Sequence, residues 1–230
     1  MGANRRTAMF IGLLLLLGLG CGILSSVPVL EQPDYLQRLA EIEWQMLAAT
    51  CFQAAMAVTY VGIAVLFYPI LRTYNKSLAA GYLGFRIIGA TFLFVGIGAL
   101  LLLLWLSQSF AQNGQADYYF TLAELLRRGR DFVNHVGMIL PWSIGGILLY
   151  YGLYTIRIIP QWLSLWGLAG SGLTLAATIL LMLNIVPLVD PVYFLLNTPT
   201  ALFELSFAIY LIVRGFNPIG ITPSLKGGSL

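Results

Sequence analysis

The sequence predicts an all-α fold, a polytopic membrane bundle of six transmembrane helices with N- and C-termini cytoplasmic. Three observations carry that expectation. First, 59% of the 230 residues are hydrophobic and only 9% are charged, with a mean hydropathy of +0.87. Soluble domains carry about 25% charged residues and about 45–50% apolar ones, so a globule of this composition would lack the polar residues to cover its surface. Second, six apolar runs approach or exceed the ~20 residues needed to cross a bilayer core of about 30 Å. Third, the few charges divide unevenly between the loops at the two ends of those runs. The composition excludes nucleic-acid binders, disulfide scaffolds and disordered tails.

The spans fall at about 8–28, 45–71, 79–106, 132–153, 161–185 and 198–214. Together they make a single membrane domain over residues 1–216, followed by a short cytoplasmic tail, 217–230. The first span could be mistaken for a leader, since Arg5 and Arg6 precede the apolar run at 8–23, and LGLGC at 17–21 hints at a lipoprotein site. Gly18 stands three before Cys21, where a leucine-like residue is expected, and Gly18-Leu19-Gly20 is a weak small-x-small match. The segment is read as a retained span. The sixth run is the shortest and carries Glu204. Strand alternation is absent, so a membrane barrel is not supported.

Positive-inside counting orients the bundle. With the N-terminus inside, seven basic residues are cytoplasmic (Arg5, Arg6, Arg72, Lys76, Arg157, Arg214 and Lys226) and no acidic one is. The opposite face receives Glu31, Asp34, Glu41, Glu43, Asp117, Glu124, Asp131 and Asp190, with Arg38, Arg127, Arg128 and Arg130. Segment 117–130 (DYYFTLAELLRRGR) has Leu122, Leu125 and Leu126 at helical spacing. It reads as an amphipathic helix lying in the outer interface with its arginines on headgroups, or more sharply as a cationic lip guiding an anionic ligand. The acidic loop 28–44 is expected to hold a short amphipathic helix ending at Trp44. The apolar segment 185–199, with three prolines, is expected to be an outer loop dipping into the interface. No loop is long enough for a soluble domain. Cys21 and Cys51 lack metal-ligand or CxxC spacing and read as small packing residues.

Several local patterns occur in a fixed order: GYLGFRIIGA opening the third span, FVNHVGMIL in the fourth, the turn YTIRIIPQWLSLWGLAG, and a last span LFELSFAIYLIVRGF. In these the chain resembles the bacterial membrane protein family catalogued as domain of unknown function 4386, over roughly residues 8–216. The resemblance implies a multi-pass protein of the bacterial cytoplasmic (inner) membrane. It implies no activity and assigns no role to any residue.

Ionisable side chains inside a span cost about 2.5–3.5 kcal/mol at the helix centre on insertion scales and normally face the bundle interior. Three stand out: Arg86, His135 and Glu204. At about 1.5 Å per residue, Glu204 lies roughly 9 Å from the outer end of its span, Arg86 roughly 10 Å from the inner edge and His135 roughly 6 Å deep. Both Arg86 and His135 are therefore within plausible reach of Glu204. Asn134 and Gln53 add hydrogen-bonding capacity to this candidate polar cluster.

The first functional reading is a structural or accessory membrane subunit whose cluster tethers the helices. The alternative is binding or transport of a lipophilic or weakly anionic small molecule, entering from the outer leaflet between spans 4 and 6. The third, an intramembrane lipid-modifying enzyme, needs His135 and Glu204 within hydrogen-bond reach in one cavity. No catalytic residue and no cofactor are assigned. One His and one carboxylate fall short of the three or four ligands of a zinc site, and a single His excludes bis-histidine haem ligation. Neither phosphate loops nor hydrolase motifs occur, and no internal similarity supports the inverted repeat of some transporters.

Gly18 with Gly22, and Gly167 with Ser171, are spaced for close helix approach, within the monomer or in a homodimer. Membrane lipids are the expected partners, with a homodimer or a larger membrane complex allowed and nucleic acid excluded. Pro141, six residues beyond His135, should kink the fourth span. Trp44, Trp105, Trp142, Trp162 and Trp166 read as interface anchors.

Overall fold

The computed structural model describes residues 3–113 and 117–217. Their regular structure is helical, with no strand among the described residues. In chain order the helices are α1 (Ala3–Leu24), α2 (Tyr35–Arg38), α3 (Glu43–Tyr74), α4 (Lys76–Asn113), α5 (Asp117–Phe132), α6 (Ile139–Ile156), α7 (Gln161–Met182) and α8 (Pro191–Val213). Short 3-10 turns, Pro28–Glu31 and Leu39–Ile42, flank α2, and a π turn, Val133–Met138, joins α5 to α6. Six helical segments are long and apolar enough to cross a membrane: α1, α3, α4, the continuous α5–α6 unit, α7 and α8. The polytopic helical bundle read from composition is thus the observed architecture. The expected tail falls outside the described residues except for Asn217.

Local chemistry sets the helix boundaries. Between α3 and α4 the chain breaks at Asn75, which is extended, and its Oδ1 accepts a hydrogen bond from the Leu78 N–H at 3.0 Å. That is an N-cap, satisfying one of the orphan donors of a new helix. At Arg157 the backbone turns left-handed (φ 61°) and ends α6. Helix α8 begins at Pro191, capped by Asp190 accepting from the Val192 N–H at 2.8 Å. The segment expected as a long outer loop is therefore loop only as far as Asp190, and Pro199 lies within α8. Proline suits the first helical turn, where its missing N–H would be unpaired anyway. The π turn Val133–Met138 adjoins α6 three residues before Pro141. Pro141 cannot donate to the carbonyl four residues back, which is that of Gly137 within the turn.

The six long segments form a closed ring. Each packs on its neighbours in the order α1, α3, α4, α6, α7, α8, and α8 returns to α1. Small residues allow the closure: a Cβ on Gly12 would sit 2.7 Å from the Ala208 carbonyl oxygen, so α1 meets α8 backbone to backbone. Arg5 fastens the same seam by donating to the carbonyls of Val213 and Arg214 at 2.8 and 2.9 Å, capping the end of α8. Gly18 lies against Tyr60, and Gly167 against Tyr150 and Phe203, so these glycines serve packing within the chain.

The ring interior differs along its length. Towards the N-terminal end of α1 it is filled by buried Phe67, Tyr82, Phe203 and Phe207, with centroid separations of 5.4 Å for Phe203–Phe207 and 6.3 Å for Phe67–Phe207. In lipid such packing, more than hydrophobic transfer, holds helices together. At the opposite end α4, with 38 residues, runs about 57 Å at 1.5 Å per residue. It exceeds a ~30 Å core and pairs with α5 in a hairpin. The acidic segment 28–44 folds onto that hairpin: Leu30, Leu36, Leu39 and Met46 share a buried cluster with Leu100, Leu103, Phe110 and Tyr119. Ser107 ties it down, accepting from the Ala40 N–H at 2.8 Å and donating to the Leu36 carbonyl at 2.6 Å.

Helix α5 leads through the π turn into α6 and packs along α4 with Tyr119 and Ala123 buried. Its arginines do not form a cationic lip. Arg127 lies 3.0 Å from Glu124, 3.7 Å from Glu31 and 3.8 Å from Asp131; Arg128 reaches Glu124 at 2.6 Å and Arg130 reaches Asp131 at 3.1 Å. Three arginines facing three carboxylates leave the patch close to neutral.

Candidate functional site

Two charges and four aromatic rings converge inside the ring. Helix α4 carries Tyr82 and Arg86 at i and i+4, hence on one face. Tyr60 comes from α3, Trp142 and Tyr150 from α6, and Glu204 from α8. Arg86 is 5% exposed, and its guanidinium carbon lies 5.1 Å from the Trp142 ring centroid, 5.5 Å from Tyr60 and 5.6 Å from Tyr82. Tyr60 and Trp142 are themselves in contact, with centroids 4.4 Å apart. Glu204 accepts a hydrogen bond from the Tyr60 hydroxyl at 2.8 Å.

Arg86 and Glu204 share a site without pairing: they form no ion pair within 4.0 Å. Each also has neutral partners. Burying Arg86 in a span costs up to about 2.5–3.5 kcal/mol, and a desolvated cation–π contact offsets about 2 kcal/mol or more. A hydrogen bond to a charged group is worth about 1.5–3 kcal/mol, which is the scale of the Glu204 cost. The opposite charges of Arg86 and Glu204 still attract each other across the site. Both line a cavity of about 220 Å³.

All six long segments contribute to its wall: Leu19 from α1, Tyr60, Arg86, Trp142 with Gly146 and Tyr150, Ser171 and Thr174 from α7, and Asn197, Thr200 and Ala201 before Glu204 on α8. On the α1–α8 side Leu19 and Glu204 are part-exposed and Ala201 is exposed; Met138, Ile139 and Asn197 elsewhere in the wall are part-exposed as well. Towards the N-terminal end of α1 lies the buried Phe203, Phe207 and Phe67 stack. Helices α6 and α8 are not adjacent in the ring because α7 packs between them, so the expected entry between spans 4 and 6 has no direct seam.

The remaining candidates lie elsewhere. Gln53 donates to the Leu93 carbonyl at 3.0 Å and to Asn134 Oδ1 at 3.2 Å, a bridge joining α3, α4 and the π turn. Gly96 makes room for it, since a Cβ there would lie 2.1 Å from Asn134 Oδ1. His135 Nδ1 is 3.2 Å from the Tyr193 hydroxyl. Tyr193 precedes Glu204 by eleven residues of α8, about 16 Å along the axis. His135 and Glu204 therefore do not share a cavity, and no acid–base pair is assembled from them. Among the described residues no three His, Cys, Asp or Glu side chains are grouped to hold a metal.

Sequence reasoning missed the aromatic cage. Tyr60, Tyr82 and Tyr150 carry no local mark, because tyrosines are common in spans. Trp142 did carry one: it sits at the middle of the fourth predicted span, where an interface anchor does not belong. Trp166 is part-buried and donates its indole N–H to the Pro199 carbonyl at 3.1 Å. Trp44, Trp105 and Trp162 are exposed.

Six helical segments long and apolar enough to cross a membrane, closed in a ring, define a multi-pass integral membrane protein. The chain belongs to the family described as domain of unknown function (DUF4386), whose model matches residues 10–215. No curated protein matches it. No solved structure matches it either.

Proposed function

We propose that this protein binds a small lipophilic molecule with a polar end in the pocket between Arg86 and Glu204, admitted from the bilayer between α1 and α8. The observation that carries this reading is that Arg86 and Glu204, which form no contact ion pair, both line a cavity of about 220 Å³ to which every long helix contributes. The size is informative: an engineered apolar cavity of about 150 Å³ accepts benzene, so the pocket suits a single ring or a compact head, not a whole diacyl lipid. The buried phenylalanine stack towards the N-terminal end of α1 favours binding over passage across the membrane.

We further propose that the protein resides in the bacterial cytoplasmic membrane with both termini cytoplasmic. Support for the orientation comes from the seven basic and no acidic residues assigned to the face holding the start of α1 and the end of α8.

Native mass spectrometry of gently extracted protein tests the binding. The wild type should retain a bound small molecule, and Ala201→Trp, which places an indole in the side opening, should lose it while staying folded. Wild-type protein that carries nothing beyond bulk lipid would count against the reading.

A second reading, the structural or accessory subunit, is favoured by the Tyr60–Glu204 and Gln53–Asn134 bonds, which stitch α3 to α8 and to the π turn. Polar contacts between spans are worth about 0.6–2 kcal/mol. In this reading Glu204→Gln lowers the Tm in detergent and no small molecule is found.

A further inference from the structure

We infer that the molecule held in this pocket is a neutral hydrogen-bond donor of the hydroxyl class, an alcohol or phenol on a small apolar body, whose O–H donates to the free carboxylate oxygen of Glu204; this rests on the binding reading above. Glu204 is the one carboxylate in the wall, and it accepts from Tyr60 through Oε2 alone. Its Oε1 has no hydrogen-bond partner among the described residues. Unlike Arg86 Nε and Trp142 Nε1, which are sealed by the atoms packed around them, it keeps open surface. An acceptor withdrawn from water and left unpaired forfeits its hydration, so a donor brought by a ligand has a place to bind. Two hydroxyls of the wall are open in the same way. Tyr150 and Ser171 are only 3% and 4% exposed, yet their oxygens are not sealed and have no partner among the described residues. Gly146 makes room for one of them, since a Cβ there would lie 2.6 Å from Ser171 Oγ. The Tyr150 hydroxyl is within electrostatic reach of both Glu204 and Arg86. A ligand O–H therefore meets an acceptor on α8, while hydroxyls on α6 and α7 can donate to its oxygen.

Charge decides between a neutral donor and a cationic one. Arg86 and Glu204 balance each other around one cavity, and no other charged residue lines it. An ammonium would bring a second cation near Arg86, and a carboxylate a second anion near Glu204, in a medium that screens poorly. A hydroxyl supplies the donor without a net charge. The rest of the molecule has apolar neighbours, because Leu19, Met138, Ile139 and Ala201 complete the wall. A cavity of ~150 Å³ takes benzene, and the larger volume here, about 220 Å³, leaves room for a hydroxymethyl group on the ring.

The test uses full-length protein in phosphatidylcholine nanodiscs and four single-ring probes: benzyl alcohol, its isomer anisole, benzylamine and benzoate. The carbon-13 Cδ resonance of Glu204, assigned with Glu204→Gln, reports a donor at the carboxylate. Benzyl alcohol should bind about tenfold more tightly than anisole, which accepts a hydrogen bond but cannot donate one. Of these two isomers only the alcohol should move the Glu204 signal, and both charged probes should bind more weakly than the alcohol. Glu204→Gln should shrink the preference for the alcohol over anisole. Tyr150→Phe, which leaves the carboxylate in place, should keep most of it. If Glu204→Gln does not fold, the wild-type affinities and Tyr150→Phe still decide. Anisole binding as tightly as benzyl alcohol would show that water serves Glu204 and would overturn the inference while leaving the binding reading intact. Benzylamine or benzoate binding most tightly would overturn it in favour of a charged ligand. No binding of any probe, with no co-purifying molecule, would remove both.

Discussion

At the scale of single residues, scarcity was the informative signal. With only 9% charged residues, Arg86 and Glu204 stand out because nothing in a loop accounts for them, and the structure brings both to one cavity. The same reasoning grouped His135 with them and could not separate it, because depth along a helix fixes height and leaves azimuth open. The tyrosines were illegible for the reason that they carry neither charge nor unusual spacing. Tyr60 now has a specific role, since its hydroxyl is the hydrogen-bond partner of Glu204. Tyr60→Phe removes that donor alone. It should destabilise the protein by about 1–2 kcal/mol, read as a lowered Tm in detergent, and an unchanged Tm would show that the bond is dispensable.

At the scale of elements, the sequence located the helices well and their ends less well. Three prolines in the apolar segment 185–199 read as a loop and put the start of span six at 198, whereas α8 starts at Pro191. The pair Asp190-Pro191 was the legible signal, an N-cap followed by a first-turn proline. The fourth span was bounded at 132, yet α5, the π turn and α6 form one unbroken unit, since charge at 124–131 is accommodated by ion pairs on a helix extending beyond the bilayer core. The π turn is held by the Gln53–Asn134 bridge, and that bridge depends on a missing side chain at Gly96. Gly96→Val should displace Asn134, costing more than about 2 kcal/mol and lowering both yield and Tm. Gly98→Ala, where a Cβ meets nothing within 4 Å, is the matched control and should behave as wild type.

At the scale of the whole molecule, the account rests on a ring of six helices with a buried aromatic stack at one end and the proposed opening beside α1 and α8. Neither ring nor opening could be read from one sequence, because hydropathy finds spans without saying which are neighbours. Closure depends on α1 meeting α8 at Gly12. Gly12→Leu should spread that seam, and native mass spectrometry should then show the bound small molecule replaced by ordinary lipid. The most direct test of the central claim is photolabelling in a bilayer with a small uncharged aryl diazirine, followed by peptide mapping. The account predicts saturable labelling at Glu204, Ala201 and Leu19, abolished by Ala201→Trp. Labelling spread only over lipid-facing residues such as Phe94, Leu102 and Ile209, and not competed by excess unlabelled arene, would contradict it.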